Sequence, residues 1–312
     1  MKKAVIYVFS GTGNTRLIAD LYKENLVEYE TFIYDVKMKK NEAGKFEFLP
    51  FPNPDEFDLI GFGHPVYGFN IPKPFDDFIK LLPKLKMPKK AFVFKTSGEG
   101  LRINEFSSQR LIHKLEKKNF DFISDRHYVM PYNMIFRHTP EMVKREWLYA
   151  KAYAKLSCDD ILKGKIDKVH INPLLRFWVP LVRIEWIYYP LSAPFSFKVD
   201  AAKCIKCQKC VKNCPLNNIS FDGNKFVFGH NCTMCTCCSF GCPTCAISIG
   251  LLNGWRINGS YNIKNTAENL EIAAPEIGKD YEGLHPWLYK NYYRKLDKKL
   301  LAAGKDTNLL NF

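Results

Sequence analysis

Cys204, Cys207, Cys210 and Cys214 are followed by Pro215, and Cys232, Cys235, Cys238 and Cys242 by Pro243, so one C-x-x-C-x-x-C-x-x-x-C-P run occurs twice within forty residues. Thiolates are the natural ligands of iron–sulfur iron, and in this run the three close cysteines wrap one cluster while the fourth, after a longer step, ligates the other. The spacing therefore predicts one [4Fe-4S] cluster on Cys204, Cys207, Cys210 and Cys242 and a second on Cys232, Cys235, Cys238 and Cys214. Tetrahedral zinc is the competing chemistry. It needs only two C-x-x-C pairs, and it leaves the third cysteine, the fourth cysteine and the proline of each run without a role.

With its short interval between runs and the Ala246-Ile247 that follows the second, the segment resembles bacterial two-cluster ferredoxins. The two runs differ in charge. Lys203, Lys206, Lys209 and Lys212 recur every third residue around the first, whereas 231–246 carries no charged side chain. Ammonium groups keep to water, so the first cluster is expected at the surface and the second in a drier interior. Cys237 and Cys245 fall outside the ligand spacing and are expected to pack beside the clusters, and Cys158, within a helical stretch, to be a buried structural thiol.

A second chemistry opens the chain. The apolar run from Lys3 to Phe9 is followed by Ser10-Gly11-Thr12-Gly13-Asn14-Thr15 and then by Leu17, Ile18, Leu21 and Tyr22 at helical spacing. Strand, glycine loop and helix N-terminus together make a phosphate cradle: backbone N–H groups point at the anion, and Ser10, Thr12, Thr15 and the Asn14 amide can complete its shell. The lysine of a Walker A loop is missing, and Arg16 stands where a dinucleotide fingerprint needs its third glycine. The string resembles the phosphate loop of flavodoxins, which implies FMN.

Two further strands, Phe57 to Gly63 and Ala91 to Thr96, run into His64-Pro65-Val66-Tyr67-Gly68-Phe69 and Ser97-Gly98-Glu99-Gly100. In a doubly wound sheet such loops gather outside the carboxyl ends of the strands. The flavodoxin resemblance places Pro65, Val66, Tyr67 and Gly68, then Thr96, Ser97, Gly98, Glu99 and Gly100, at the isoalloxazine, with Tyr67 stacking on it. The last loop has no aromatic residue, so one ring face is left open or is covered by another part of the chain. His64 is as well suited to satisfying a loop carbonyl as to meeting a flavin, Phe69 is expected in the core, and Pro131-Tyr132-Asn133-Met134 also faces the site.

These loops need elements to hold them. Strands at 29–36 and 120–130, a helix from Asn104 to Lys118, and a long helix capped by Thr139 and opened by Pro140 complete five alternating β/α units. The expected fold is α/β, a flavodoxin-like doubly wound parallel five-stranded sheet followed by a small α+β two-cluster ferredoxin-like domain. Its parts are 1–165 for the FMN domain, 166–196 as an apolar bridge, 197–250 for the clusters and 251–312 as a C-terminal extension with a basic amphipathic helix from Pro286 to Leu301. The bridge approaches the length of a membrane span. Arg176, Arg183, Glu185 and Pro180 would be costly in hydrocarbon, so it is expected to pack between the domains, a membrane-surface position being the less favoured alternative. The strand-like start lacks the cleavage site of a signal peptide.

The 312 residues, 46% of them hydrophobic, are enough for two cores, and eleven cysteines with no room for a disulfide framework suit a reducing compartment, the cytoplasm of an anaerobe. The formal charge is +14. Two oxidised clusters and a flavin phosphate, each about −2, would leave it near +8. An acidic partner follows, such as a ferredoxin or another redox enzyme; no nucleic-acid motif accompanies the charge. The whole arrangement resembles the flavodoxin–ferredoxin fusion proteins of anaerobes. That implies an electron-transfer protein exchanging electrons between an external one-electron carrier, two [4Fe-4S] clusters and FMN as a reductase module. The alternative is a self-contained flavin reductase of a small substrate, with the clusters as its internal wire.

Overall fold

The structure, a computed structural model, describes residues 1–168, 185–273 and 286–304. Its first half runs β1 (Lys2–Val8), α1 (Asn14–Asn25), β2 (Tyr29–Asp35), β3 (Met38–Lys40), β4 (Phe46–Phe48), β5 (Leu59–Pro65), α2 (Lys73–Leu81), β6 (Lys89–Ser97), α3 (Gln109–Glu116), β7 (Phe120–Val129) and α4 (Pro140–Leu162). Five strands form one parallel sheet in the order β2-β1-β5-β6-β7, which is the flavodoxin order. Both faces are covered, so the central strands are mostly apolar; β5 is buried at every residue. The helix expected from Asn104 begins instead as a 3-10 turn, Arg102–Ser108, that relaxes into α3. The polar stretch 37–51 folds as the hairpin β3–β4, whose Met38 amide bonds the Pro215 carbonyl at 2.9 Å.

One face of the sheet packs on α1 and α4, where Tyr22 lies flat between Phe92 and Phe94 with ring centroids 5.0 and 4.8 Å away. The other packs on α2 and α3 around Phe62, Phe75 and Phe78. Between β6 and β7 lies a fully buried ion pair, Lys95 Nζ to Asp125 Oδ1 at 2.7 Å. Ser108 and the Glu105 carbonyl complete its hydrogen bonds, which is what allows both charges to sit out of water.

The second half is a duplicated unit. It contains α5 (Glu185–Ser196), β8 (Phe197–Val199), α6 (Lys209–Lys212), β9 (Ile219–Phe221), β10 (Phe226–Phe228), α7 (Cys237–Phe240) and β11 (Ile247–Ile249). Strands β8 and β11 pair, as do β9 and β10, so each ladder joins the two copies or spans their boundary. The bridge expected at 166–196 lies mostly outside the described residues. Its end, α5, sets Trp186 against the core of the first half and Tyr189 against that of the second.

The chain then returns to the first half through a 3-10 turn (Gly250–Trp255), α8 (Ile263–Glu268) and α9 (Pro286–Ala302). The last helix seats Tyr289, Tyr293, Leu296 and Leu300 in the α1–α4 core, and its Tyr292 hydroxyl donates to the His127 carbonyl at 2.7 Å. Among the described residues no helix is long and apolar enough to cross a membrane. Leu300 is fully buried, so Leu300→Ala should cost about 2–5 kcal/mol in denaturant unfolding. A loss below about 0.5 kcal/mol would mean that α9 is a surface appendage.

Candidate functional site at the carboxyl edge of the sheet

The loops after β1, β5, β6 and β7 enclose a cavity of about 470 Å³, within the range of small-molecule sites. Every sequence-predicted cofactor residue lines it except Gly13 and Gly100: Ser10, Gly11, Thr12, Asn14, Thr15, Pro65, Val66, Tyr67, Gly68, Thr96, Ser97, Gly98 and Glu99. Gly13 caps α1 with φ +104°, a conformation that side chains rarely adopt, and open space surrounds it. Glycine is therefore there for its dihedral freedom. No acidic residue occupies the first turn of α1, so the amide dipoles face the loop uncompensated and favour an anion. Asn14 and Thr15 brace this loop: the Asn14 amide donates to the Pro131 carbonyl at 2.8 Å and the Thr15 hydroxyl pairs with that of Thr96 at 2.8 Å. Ser10, Thr12 and the backbone remain to receive an anion.

His64 is buried behind the wall with Nδ1 on the Pro65 carbonyl at 3.0 Å, and burial lowers its pKa to about 3, so it stays neutral. Phe69, expected in the core, is instead half-buried at the cavity's edge with a left-handed backbone, because the tight Tyr67–Asn70 turn throws it outward. Tyr132, from the loop after β7, lies so close over Gly98 that a Cβ there would fall inside its ring. The β6 loop, which has no aromatic residue of its own, thus has one beside it on the cavity wall.

The remaining wall comes from far along the chain: Tyr189, Met234, Leu252 and Trp255. Nothing at those positions signals the site in sequence. Leu252 and Trp255 are brought in by two backbone contacts, the Ile135 amide on the Trp255 carbonyl at 2.7 Å and the Met134–Arg256 bridge.

The cysteines gather in two places. Cys204, Cys207, Cys210 and Cys242 surround one small cavity, and Cys214, Cys232, Cys235 and Cys238 surround another, beside Cys237. Among the described residues no set of three or more side chains converges as it would on a single ion. The backbone repeats with the cysteines. Lys206 and Met234, Gln208 and Thr236, and Asn217 and Cys245 hold matched positions in the two runs, and all six have positive φ. The Asn218 and Ala246 amides, again matched, each point at the fourth sulfur of their run at 3.3 Å. Six strained non-glycine residues cost about 1–3 kcal/mol each and persist where a site demands the turn; amides aimed at sulfur are what a cluster's thiolates accept.

The first cysteine group faces water, with Cys207 and all four lysines exposed. The second stands on the large cavity. Asn133 donates to the Cys235 carbonyl at 3.1 Å, the Thr236 hydroxyl reaches the Asn133 carbonyl at 3.4 Å, and a Cβ on Gly11 would come within 2.6 Å of both Cys235 Cβ and the Tyr67 hydroxyl. Burial among neighbouring thiols raises the Cys235 and Cys238 pKa values well above the ordinary thiol range, so only a strong counter-charge would hold them as thiolates. Cys158 is fully buried, and burial raises its pKa too.

Residues 197–220 match the 4Fe-4S binding domain family. Over 55 residues the chain is 34% identical to an uncharacterized ferredoxin of Methanocaldococcus jannaschii, an alignment that spans 16% of this chain and 89% of that protein. Through this segment the chain belongs to the ferredoxins. Its first half is similar in structure to oxidised flavodoxin 1 of Bacillus cereus (19% identity, 52% of this chain and 97% of that one, TM-score 0.38). It is also similar to a Lactobacillus acidophilus flavoprotein in complex with FMN (16% identity, 41% and 93%, TM-score 0.31). The flavodoxin-like fold rests on the strand order itself, and the architecture is that of a flavodoxin-like domain fused to a ferredoxin domain.

Gly11→Val should prise the Cys235 loop off the cavity wall. A cost of about 1–3 kcal/mol for the overpacked contact corresponds to roughly tenfold or faster amide exchange at 232–238, with β1 and α1 still protected. Unchanged exchange would show that the two loops are not seated on each other.

Proposed function

We propose that this protein carries electrons between an acidic one-electron donor or acceptor protein and a bound FMN, by way of two [4Fe-4S] clusters. The observation that carries the reading is the seat of the second cysteine loop on the wall of the large cavity, at Gly11, Tyr67 and Asn133. A cluster held by Cys214, Cys232, Cys235 and Cys238 would stand directly behind a flavin in that cavity, while one held by Cys204, Cys207, Cys210 and Cys242 would meet solvent. The matched left-handed residues and amide–sulfur contacts support two clusters, and the loop at 10–15 with the α1 N-terminus supports FMN's phosphate. Flavin accepts two electrons in single steps while each cluster passes one, so such a chain links one-electron and two-electron chemistry.

A second reading, reduction of a small substrate at the flavin, draws on the cavity's mouth, where Ile135 and Trp255 are about half exposed.

Anaerobically prepared protein should contain about eight iron and eight sulfide with one FMN per chain. Gly13→Val should lose the flavin and keep the iron, because the left-handed turn at the cradle becomes strained. Stoichiometric zinc, or FMN retained by that variant, would overturn the respective assignment. Lys206→Glu with Lys209→Glu should slow electron exchange with an acidic ferredoxin by about tenfold at low ionic strength and progressively less as salt is added. Equal rates across the salt series would remove the docking role.

A further inference from the structure

Glu99 is the only carboxylate, and the only side chain with a full charge to give or take near neutrality, on the wall of the large cavity among the described residues. It is held there by design of the surrounding contacts. The Asn104 amide donates to Oε1 at 2.8 Å and the Tyr132 hydroxyl to Oε2. The Glu99 carbonyl accepts from the Ser97 hydroxyl at 2.6 Å, and that hydroxyl meets His127 Nε2 at 2.7 Å. The preceding carbonyl, that of Gly98, accepts from the Tyr289 hydroxyl of α9, which stands 3.3 Å from His138 Nε2. Contacts from the loop before α3, the loop after β7, β7 itself and α9 thus fix one acid in a wall whose other side chains are uncharged.

Electrons arriving singly at a flavin in this cavity bring negative charge into a site with no cation on its wall, where uncompensated charge is costly. Resting on the flavin reading above, we infer that Glu99 is the proton donor that accompanies flavin reduction. The carboxyl O–H bond breaks, and its proton passes to a ring nitrogen as the second cluster supplies an electron. The carboxylate left behind keeps the Asn104 and Tyr132 donors, and water at the open mouth returns the proton. The donor is regenerated at each cycle, and the electrons come from the external carrier.

Four titratable groups face this acid. Tyr132 and His138 lie on the β7–α4 side, His138 bonded to the buried Glu146 at 2.8 Å; Tyr289 lies on α9; and His127 lies on β7, kept neutral by burial and by Lys95. Burial pushes the Glu99 carboxyl up from its ordinary value, and Asn104 and His138 oppose this without reversing it, so the protonated form persists to higher pH than in an exposed glutamate.

The test follows flavin absorbance after rapid reduction of the holoprotein's clusters, across pH and in deuterated water, with bound FMN measured in parallel. Wild-type reduction should slow as pH rises through the Glu99 titration and should show a solvent isotope effect. Glu99→Gln should keep FMN, reduce it roughly 10²-fold more slowly, and lose both dependences. Tyr132→Phe, which retains the acid but removes a donor to its carboxylate, should move the fall in rate to higher pH. An unchanged pH profile and isotope effect in Glu99→Gln, or an unmoved profile in Tyr132→Phe should Glu99→Gln not fold, would overturn the role of Glu99. Absence of FMN from the wild type would overturn the flavin reading beneath it.

Discussion

The structure depends on one close approach, the Cys235 loop against Gly11. Each partner belongs to a unit with its own reason to exist: Gly11 to the turn between the first strand and first helix, Cys235 to a tight cysteine loop. They meet only because one of them has no side chain. The Asn133 amide on the Cys235 carbonyl and the Thr236 hydroxyl on the Asn133 carbonyl fix the meeting in register. The neighbouring contacts follow from it: Met234 becomes part of the cavity wall, the Leu216 segment packs into the α2–α3 core, and the β3–β4 hairpin finds the Pro215 carbonyl.

Much of this was legible in sequence where chemistry and element coincide. A continuous apolar run that stops at a glycine-containing turn admits few readings, and three such runs among five strands alternating with helices leave little choice of sheet. The cysteine runs carry still more information, since thiol spacing constrains both the metal chemistry and the turn that presents it. What could not be read were the pairings between distant segments. Leu252 and Trp255 have no pattern that points to Ile135, more than a hundred residues earlier. The hairpin at 38–48 hides in a polar stretch because it covers a neighbouring unit and builds no core of its own. Tyr132 is the opposite case: the 131–134 segment was expected at the site from its place after the fifth strand, and Tyr132 lies there against Gly98.

The duplicated unit shows how one backbone can serve two surroundings. Its turns, short helices and amide–sulfur contacts repeat in step, whereas the residues between the cysteines do not: lysines crowd one copy, and Met234, Thr236 and Ser239 line the other. The backbone is held by the thiols and their turns, which leaves the intervening side chains free to differ. One copy is fitted to water and the other to protein. Anionic clusters held in the two copies would feel different dielectrics, and so would differ in potential without any change of ligand.

The last helix has a consequence for how the protein is made. Tyr289 grips the Gly98 carbonyl and Tyr292 the end of β7, so the loop that carries Glu99 is completed by residues nearly two hundred positions downstream. Contacts of such sequence separation close late, after the local units have formed. During synthesis the sheet and the loop at 10–15 can therefore exist while the cavity is still unfinished. The cavity acquires its final shape only when α9 has docked, which would make the capture of any cofactor there a concluding event of folding, shared by both halves of the chain.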